Sequence, residues 1–298
     1  MKKNQVKTDL EILKEYITMP FKTDCIYSNL TSFSNVGSVW QWTNEPLSKY
    51  FINDLDNKKV LSVTAGGDHI LHAALLGSKD ITGFDINIFS KYFASLKIAM
   101  IKYYNFYDFD RKSKVLFQNN LRYLKEINDV IYTLSDEEIE FFMMIEEVFE
   151  KYKDIKNYSW RLGTHLLMEY GICNTSYLLY YNADNYIKLR NNLSDCDIKF
   201  VDYSLEDVIR YDKNKYDAIF LSNILNCIEK KNLMVPVIRL LKNNLNLNGI
   251  IYDYSLNETS GLDTYLNTKD ILISEDIKTE VSSENFYTGK LITYKRIK

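Results

Sequence analysis

The sequence predicts an α/β protein built on a mostly parallel sheet, with an antiparallel hairpin at its C-terminal end. Three observations support this class. Short apolar segments alternate with amphipathic segments, a glycine pair directly follows the first apolar segment, and the last two apolar segments have no helical pattern between them. The segments predicted to be strands are residues 59–64, 81–86, 197–204, 216–225, 250–256, 271–281 and 289–297.

Residues 1–57 are predicted to form an N-terminal arm that is helical at first and then aromatic. Apolar residues at helical spacing predict a first helix, which Pro20 ends. Trp40 and Trp42 lie in the aromatic stretch that follows. These two rings would either roof a binding site as a lid or pack in the interior.

Residues 58–298 are predicted to form the main domain, with a helical insertion at about 105–195. The insertion has no convincing strand pattern, and Ser135-x-x-Glu138 forms a capping box before an acidic amphipathic helix. The strand pattern returns at residue 197, and Ser204-x-x-Asp207 is a second capping box. Strand and helix then alternate again, as a parallel sheet requires.

Composition narrows the classes of partner. The chain has 298 residues and a formal net charge of -3, so no basic surface for nucleic acid is predicted. Four cysteines are scattered without a Cys-x-x-Cys pair, so we expect no metal site. No segment has the length of apolar sequence that a membrane helix needs, and no signal peptide is expected. We therefore expect a cytoplasmic protein that acts on a small molecule or a lipid, in an oligomeric state that the sequence does not set.

The stretch "TAGGDHIL" carries the main functional signal. Gly66 and Gly67 follow the first predicted strand, where residues without a Cβ let the backbone approach a ligand closely. Asp85 follows the second strand, 19 residues after Gly66, a spacing typical of a carboxylate that binds ribose hydroxyls. This pattern predicts nucleoside binding, although α/β proteins without a ligand also contain it. The three-glycine dinucleotide fingerprint is missing, which favours S-adenosylmethionine over NAD.

The segment "VLSVTAGGDHILHAALLGSKDITGFDINIFSKYFASLKIAMIK" resembles a family of S-adenosylmethionine-dependent enzymes. The overall strand order resembles the Rossmann-like class I methyltransferase fold. Within that class, "SVTAGG", "ILHAALLG" and "GFDIN" resemble the 3-amino-3-carboxypropyl transferases of betaine-lipid synthesis. Ser62 stands where ordinary methyltransferases usually have an acid.

The resemblance implies a set of site residues. Asp202 or Ser204 would approach the adenine amino group, and Ser222 with Asn223 would face the sulfonium end. His69, at the glycine loop, is a candidate general base on chemical grounds, although such a histidine is more often part of a helix surface. The residues expected to bind the cofactor are Ser62, Ala65, Gly66, Gly67, Asp85, Asn87, Asp202 and Ser204, and those expected to act in catalysis are His69, Ser222 and Asn223.

Three functions agree with these observations. The resemblance implies transfer of a 3-amino-3-carboxypropyl group, with methylthioadenosine as the by-product. Methyl transfer to a small molecule would release S-adenosylhomocysteine instead. The third alternative is a nucleoside-binding protein without turnover. In all three the enzyme would mainly align the reacting groups, because a sulfonium is already an activated leaving group.

Overall fold

The computed structural model describes residues 7–18, 39–43, 45–50, 54–118, 121, 123–151, 168–169, 177–227, 234–255, 271–279 and 289–296. Nine strands lie in these ranges. They are β1 (Val39–Trp40), β2 (Lys59–Val63), β3 (Asp80–Phe84), β4 (Met168–Glu169), β5 (Asp197–Val201), β6 (Tyr216–Phe220), β7 (Leu245–Ser255), β8 (Ile271–Thr279) and β9 (Gly289–Arg296).

Ten α-helices lie in the same ranges, together with short 3-10 turns at Leu124–Ile127 and Ile224–Cys227. The helices are α1 (Asp9–Thr18), α2 (Leu47–Tyr50), α3 (Asp68–Leu75), α4 (Ser90–Tyr103), α5 (Phe106–Gln118), α6 (Asn128–Ile131), α7 (Asp136–Lys151), α8 (Ala183–Ser194), α9 (Leu205–Tyr211) and α10 (Met234–Asn243).

The chain divides into two compact units. The helical unit comprises residues 1–43, 65–67 and 86–173, and the sheet unit comprises residues 44–64, 68–85 and 174–298. The boundary predicted at residue 57 and the insertion predicted at about 105–195 remain predictions.

The sheet unit contains one seven-stranded sheet in the order β5-β3-β2-β6-β7-β9-β8. β5, β3, β2, β6 and β7 pair in parallel, whereas β9 pairs antiparallel with both β7 and β8. Numbered along the chain within this sheet, the order is 3-2-1-4-5-7-6. The predicted α/β class is confirmed, because the sheet is mostly parallel and ends in the antiparallel strand pair expected near the C-terminus.

The centre of the sheet is apolar because its strands are covered on both faces. Val60 and Leu61 of β2 are fully buried, and Val60 pairs with Ile81 of β3 on one side and Ala218 of β6 on the other. One local prediction was wrong in detail. The strand predicted to begin at residue 250 begins at Leu245, so Asn248 and Gly249 lie inside β7. Asn248 has a φ of 64°, and the register with β6 shifts there, which is a bulge within a longer strand.

The helical unit brings together parts of the predicted arm and of the predicted insertion. β1 from the arm pairs in parallel with the two-residue strand β4. The Tyr92 ring of α4 stacks on Phe141 of α7 with centroids 4.0 Å apart. Its hydroxyl donates to Glu137 at 2.6 Å and to Asp9 of α1 at 3.2 Å. These contacts fix α1, α4 and α7 together.

Trp42 lies in the interior of the helical unit. Its ring meets Phe117 edge-on with centroids 5.1 Å apart, and the Lys97 ammonium lies 4.4 Å from the Trp42 ring centroid. Trp42 is 1% exposed, so the packing alternative describes this residue.

Across the described residues, we find no helix that combines the length and the apolar character needed to span a membrane.

Candidate active site at the carboxyl edge of the sheet

Four of the predicted site residues follow the carboxyl ends of neighbouring strands in the sheet unit. Asp85 follows β3, and its amide donates to the carbonyl of Val201, the last residue of β5. Asp202 comes directly after that residue. Ser222 and Asn223 follow β6. Ligands of open α/β sheets bind outside the carboxyl ends of the strands, so this edge is the candidate active site.

Asp202 and Ser204 are the two candidate contacts of adenine, and the Ser204 side chain also caps a helix. The Ser204 hydroxyl donates to Asp207 at 2.8 Å and accepts from the Asp207 amide at 3.1 Å. The predicted capping box at the start of α9 is thereby confirmed. Asp202, an exposed residue, lies two residues earlier at the end of β5. The Ser204 side chain holds the helix start, and both Asp202 and Ser204 remain predicted contacts of adenine.

The glycine turn after β2 has a left-handed backbone. Ala65 has a φ of 41° and Gly67 a φ of 86°, a region that favours glycine. A Cβ on Gly66 would lie 2.5 Å from the carbonyl oxygen of Trp40, and one on Gly67 would lie 3.1 Å from Ala94. Packing within the helical unit therefore favours glycine at residue 66, and the left-handed backbone favours glycine at residue 67. Close approach to a cofactor would be a second reason, and it remains a prediction.

Ser62 and Asn87 each have an intramolecular hydrogen bond. Ser62, fully buried in β2, donates from its hydroxyl to the carbonyl of Val63 at 2.9 Å. Asn87 accepts at its side-chain oxygen from the amide of Phe89 at 3.1 Å, just before α4 begins. These contacts give both residues a local structural role beside the cofactor role predicted for them.

A buried carboxylate joins two of the predicted catalytic residues. Nε2 of His69 donates to Oε2 of Glu45 at 3.0 Å, and the Ser222 hydroxyl donates to Oε1 of the same carboxylate. Glu45 is 1% exposed and His69 is 2% exposed. The expectation that such a histidine lies on a helix surface was wrong. Ser222 has a φ of 53°, an uncommon conformation for a residue with a side chain, and such strain clusters at functional sites.

A second buried acid, Asp253, lies in β7 beside this group. The amide of Tyr254 donates to the carbonyl of Ser222 at 2.8 Å, which sets residue 253 next to Ser222 across the strand pair. Asp253 is 1% exposed, and in the described part of the chain neither of its carboxyl oxygens has a hydrogen-bond partner. Burial raises the pKa of Asp253 well above its ordinary value, and the negative charge of Glu45 raises it further.

His72, which follows His69 by three residues on α3, supports the fold. Its Nδ1 donates to the carbonyl of Asp68 at 2.7 Å, and its Nε2 accepts from the amide of Leu179 at 2.9 Å. Tyr180 donates to the Asp68 carboxylate at 2.6 Å. Both ring nitrogens of His72 are therefore engaged in holding α3 to residues 179–180. Within the ranges that the structure covers, no group of three or more His, Cys, Asp or Glu side chains is arranged to hold a metal ion.

Glu45 and Asp253 were not predicted from the sequence. Asp253 carries the clearer signal, because an acid in the middle of "IIYDYSL" interrupts an otherwise apolar and aromatic strand. Glu45 stands alone in "WQWTNEPL" and has no recognisable spacing to any other site residue. Only the fold brings it to Ser222, which is 177 residues away in the sequence.

Comparison with solved structures found methyltransferases of the same general architecture. The N-methyltransferase NodS from Bradyrhizobium japonicum WM9, in complex with S-adenosyl-l-homocysteine, is 9% identical, with 97% of this chain and 98% of that chain covered and a TM-score of 0.44. Magnesium protoporphyrin IX methyltransferase (ChlM) from Synechocystis PCC 6803 with bound SAM is 10% identical, with 99% and 100% covered and a TM-score of 0.40. An rRNA methylase from Streptococcus thermophilus is 8% identical, with 84% and 93% covered and a TM-score of 0.40. No protein-family model and no curated protein matches the sequence.

Proposed function

We propose that this protein is an S-adenosylmethionine-dependent methyltransferase that acts on a small molecule in the cytoplasm. The observation that supports this most directly is the sheet order 3-2-1-4-5-7-6 with Asp85, Asp202, Ser222 and Asn223 at its carboxyl edge. This edge is where open α/β sheets bind nucleotides and related ligands.

The residues at this edge fit the chemistry of S-adenosylmethionine. Asp85 would accept hydrogen bonds from the ribose hydroxyls, because a carboxylate has acceptor sites for both. Asp202 or Ser204 would accept from the adenine amino group. By their place in the chain, Ser62, Ala65, Gly66, Gly67 and Asn87 remain further proposed contacts. The bound cofactor would supply a methyl group on a sulfonium, which needs alignment with its acceptor more than activation.

Glu45, His69 and Ser222 would act on the acceptor. His69 and Ser222 hold the two oxygens of the Glu45 carboxylate from different sides. Such bonds fix the orientation of a carboxylate that is to accept a proton, as general base catalysis requires. His69, predicted as the base from the sequence, would then be a positioning residue for Glu45. Asn223, beside Ser222, remains a proposed contact of the reacting groups.

A second candidate is transfer of the 3-amino-3-carboxypropyl group, which rests on the sequence resemblance of residues 60–102. Both reactions use the same cofactor and differ in which carbon of the sulfonium is attacked. Their by-products therefore distinguish them.

The experiment incubates the purified protein with S-adenosylmethionine and a protein-free small-molecule extract, and separates the adenosine products by liquid chromatography. We expect S-adenosylhomocysteine that forms only when both protein and extract are present. Methylthioadenosine under the same conditions would select the second candidate. A protein that binds the cofactor but releases neither product would contradict both and leave nucleoside binding without turnover.

A further inference from the structure

Asp253 is an unpartnered acid at the carboxyl edge of the sheet. Its side chain is 1% exposed, and neither carboxyl oxygen has a hydrogen-bond partner in the described part of the chain. Buried polar groups in folded proteins are nearly always hydrogen-bonded, and an exception asks for an explanation. A carboxyl group kept in this state is expected where a ligand supplies the missing donors.

A second carboxyl group, that of Glu45, influences Asp253. Burial raises the pKa of Asp253, and the negative charge of Glu45 contributes to the same increase. Glu45 itself is held by the hydroxyl of Ser222 and by Nε2 of His69. Both acids are buried and both adjoin Ser222, so they would repel each other when both are ionised, and a cation bound by them would remove that repulsion.

Glu45 and Asp253 lie where the acceptor of the methyl group is expected to bind. Asp253 lies next to Ser222 through the hydrogen bond from Tyr254 to the Ser222 carbonyl. Ser222 follows β6 with a left-handed backbone, and its hydroxyl donates a hydrogen bond to Glu45. The two acids therefore lie at the carboxyl edge of the sheet, where the proposed cofactor would also bind.

We propose that Glu45 and Asp253 form the binding site for an amine, which is the acceptor of the methyl group. This inference rests on the proposed function and names the substrate class of the same site. An ammonium group brings several hydrogen-bond donors and a positive charge, which together match two buried carboxyl groups. An alcohol of the same shape brings one donor and no charge, so it would leave the acids poorly compensated.

Glu45, the amine and S-adenosylmethionine together account for every proton and bond in the methyl transfer. Glu45 takes one proton from the bound ammonium, which frees the lone pair of the nitrogen. The nitrogen forms a bond to the methyl carbon, and the carbon–sulfur bond breaks with its electron pair on sulfur, which gives S-adenosylhomocysteine. The product is an N-methylammonium ion, and Glu45 returns its proton to solvent.

The test measures amine binding separately from turnover. The protein, with and without saturating S-adenosylhomocysteine, is titrated calorimetrically with ethylamine and benzylamine, and with ethanol and benzyl alcohol as matched neutral probes. We expect the amines to bind about tenfold or more tightly than the alcohols. Glu45→Gln and Asp253→Asn should each weaken amine binding by about tenfold or more, because each leaves the remaining charges uncompensated.

The control variants are Glu206→Gln and Asp197→Asn, which remove the same charges from exposed positions of the sheet unit. They should leave amine affinity unchanged. Circular dichroism and the affinity for S-adenosylhomocysteine show whether each variant folds.

The outcomes distinguish failure of the amine site from failure of the proposed methyltransferase function. Equal binding of amines and alcohols, or unchanged amine affinity in folded Glu45→Gln and Asp253→Asn, would overturn the amine site while S-adenosylhomocysteine binding leaves the methyltransferase standing. Failure of S-adenosylhomocysteine to bind would overturn the proposed function and the acceptor role of the amine. The titration without cofactor would still decide whether the two acids bind an amine.

Discussion

Replacing Asp253 with valine should stabilise the protein. In the described part of the chain this buried carboxyl has no hydrogen-bond partner, and such a group costs about 1–3 kcal/mol of stability. Valine is apolar, close in size and suited to a strand. We therefore expect the free energy of unfolding to rise by about 1–3 kcal/mol, and each kcal/mol corresponds to roughly 1.6 °C in Tm for a chain of this size.

The gain should depend on pH in a defined direction. Since burial raises the pKa of Asp253 in the folded state, the folded protein holds a proton that the unfolded chain releases above its ordinary value of about 3.9. The wild type therefore loses stability as the pH rises from about 4 toward the folded-state pKa. The advantage of the valine variant should be larger at pH 8 than at pH 5.

Urea unfolding followed by circular dichroism, at both pH values, measures this difference. Asp253→Asn serves as the matched comparison, because it removes the titrating group but leaves a buried polar group. Its free energy of unfolding relative to wild type should also increase from pH 5 to pH 8, but the gain at each pH should be smaller than that of the valine variant. A valine variant less stable than wild type at pH 8, or a gain independent of pH, would refute the reasoning. Loss of amine binding in a more stable variant would indicate a residue kept for function.

Three further predictions follow from single contacts. Ser222→Ala loses the hydrogen bond to the buried carboxylate and should lower kcat/KM about tenfold or more. Ser222→Gly relieves the strain of the left-handed backbone, so it should unfold at a higher urea concentration than Ser222→Ala. Equal urea midpoints for the two variants would contradict this strain. Tyr92→Phe removes the hydroxyl that donates to Glu137 and should cost about 1–3 kcal/mol in urea unfolding, and an unchanged midpoint would contradict it. Gly66→Ala should lower Tm even without any cofactor, because the new Cβ would lie 2.5 Å from the Trp40 carbonyl oxygen; a Tm equal to wild type would show that only a ligand needs this glycine.

The strands and caps were predictable because their signals are local. The apolar run ending at Thr64, the glycine pair and the capping box at Ser204 each involve residues within a few positions of one another, so the sequence pattern shows them directly. The early start of β7 was not predictable, because a left-handed residue such as Asn248 occurs in turns and in bulges, and the strand pairing decides between the two.

The buried acid group could not be predicted in the same way. Glu45 meets His69 and Ser222 only through the fold, and no spacing in the sequence relates them. His72 illustrates the same limit, because the hydrogen bond that it accepts from the Leu179 amide joins residues 107 positions apart. Sequence patterns report periodicity and local chemistry, while contacts of this kind depend on how strands are ordered.

The measurement that tests the central claim most directly is calorimetric titration with S-adenosylmethionine of the wild type, Asp85→Ala and Asp80→Ala. Asp85 follows β3 at the carboxyl edge and Asp80 begins the same strand at the opposite edge, so the two variants lose the same group at opposite ends of one strand. We predict that the wild type binds and that Asp85→Ala loses roughly 1–3 kcal/mol of binding free energy, the value of a charge-assisted hydrogen bond, while Asp80→Ala binds like the wild type. No binding to the wild type, or equal weakening in both variants, would contradict a cofactor site at this edge.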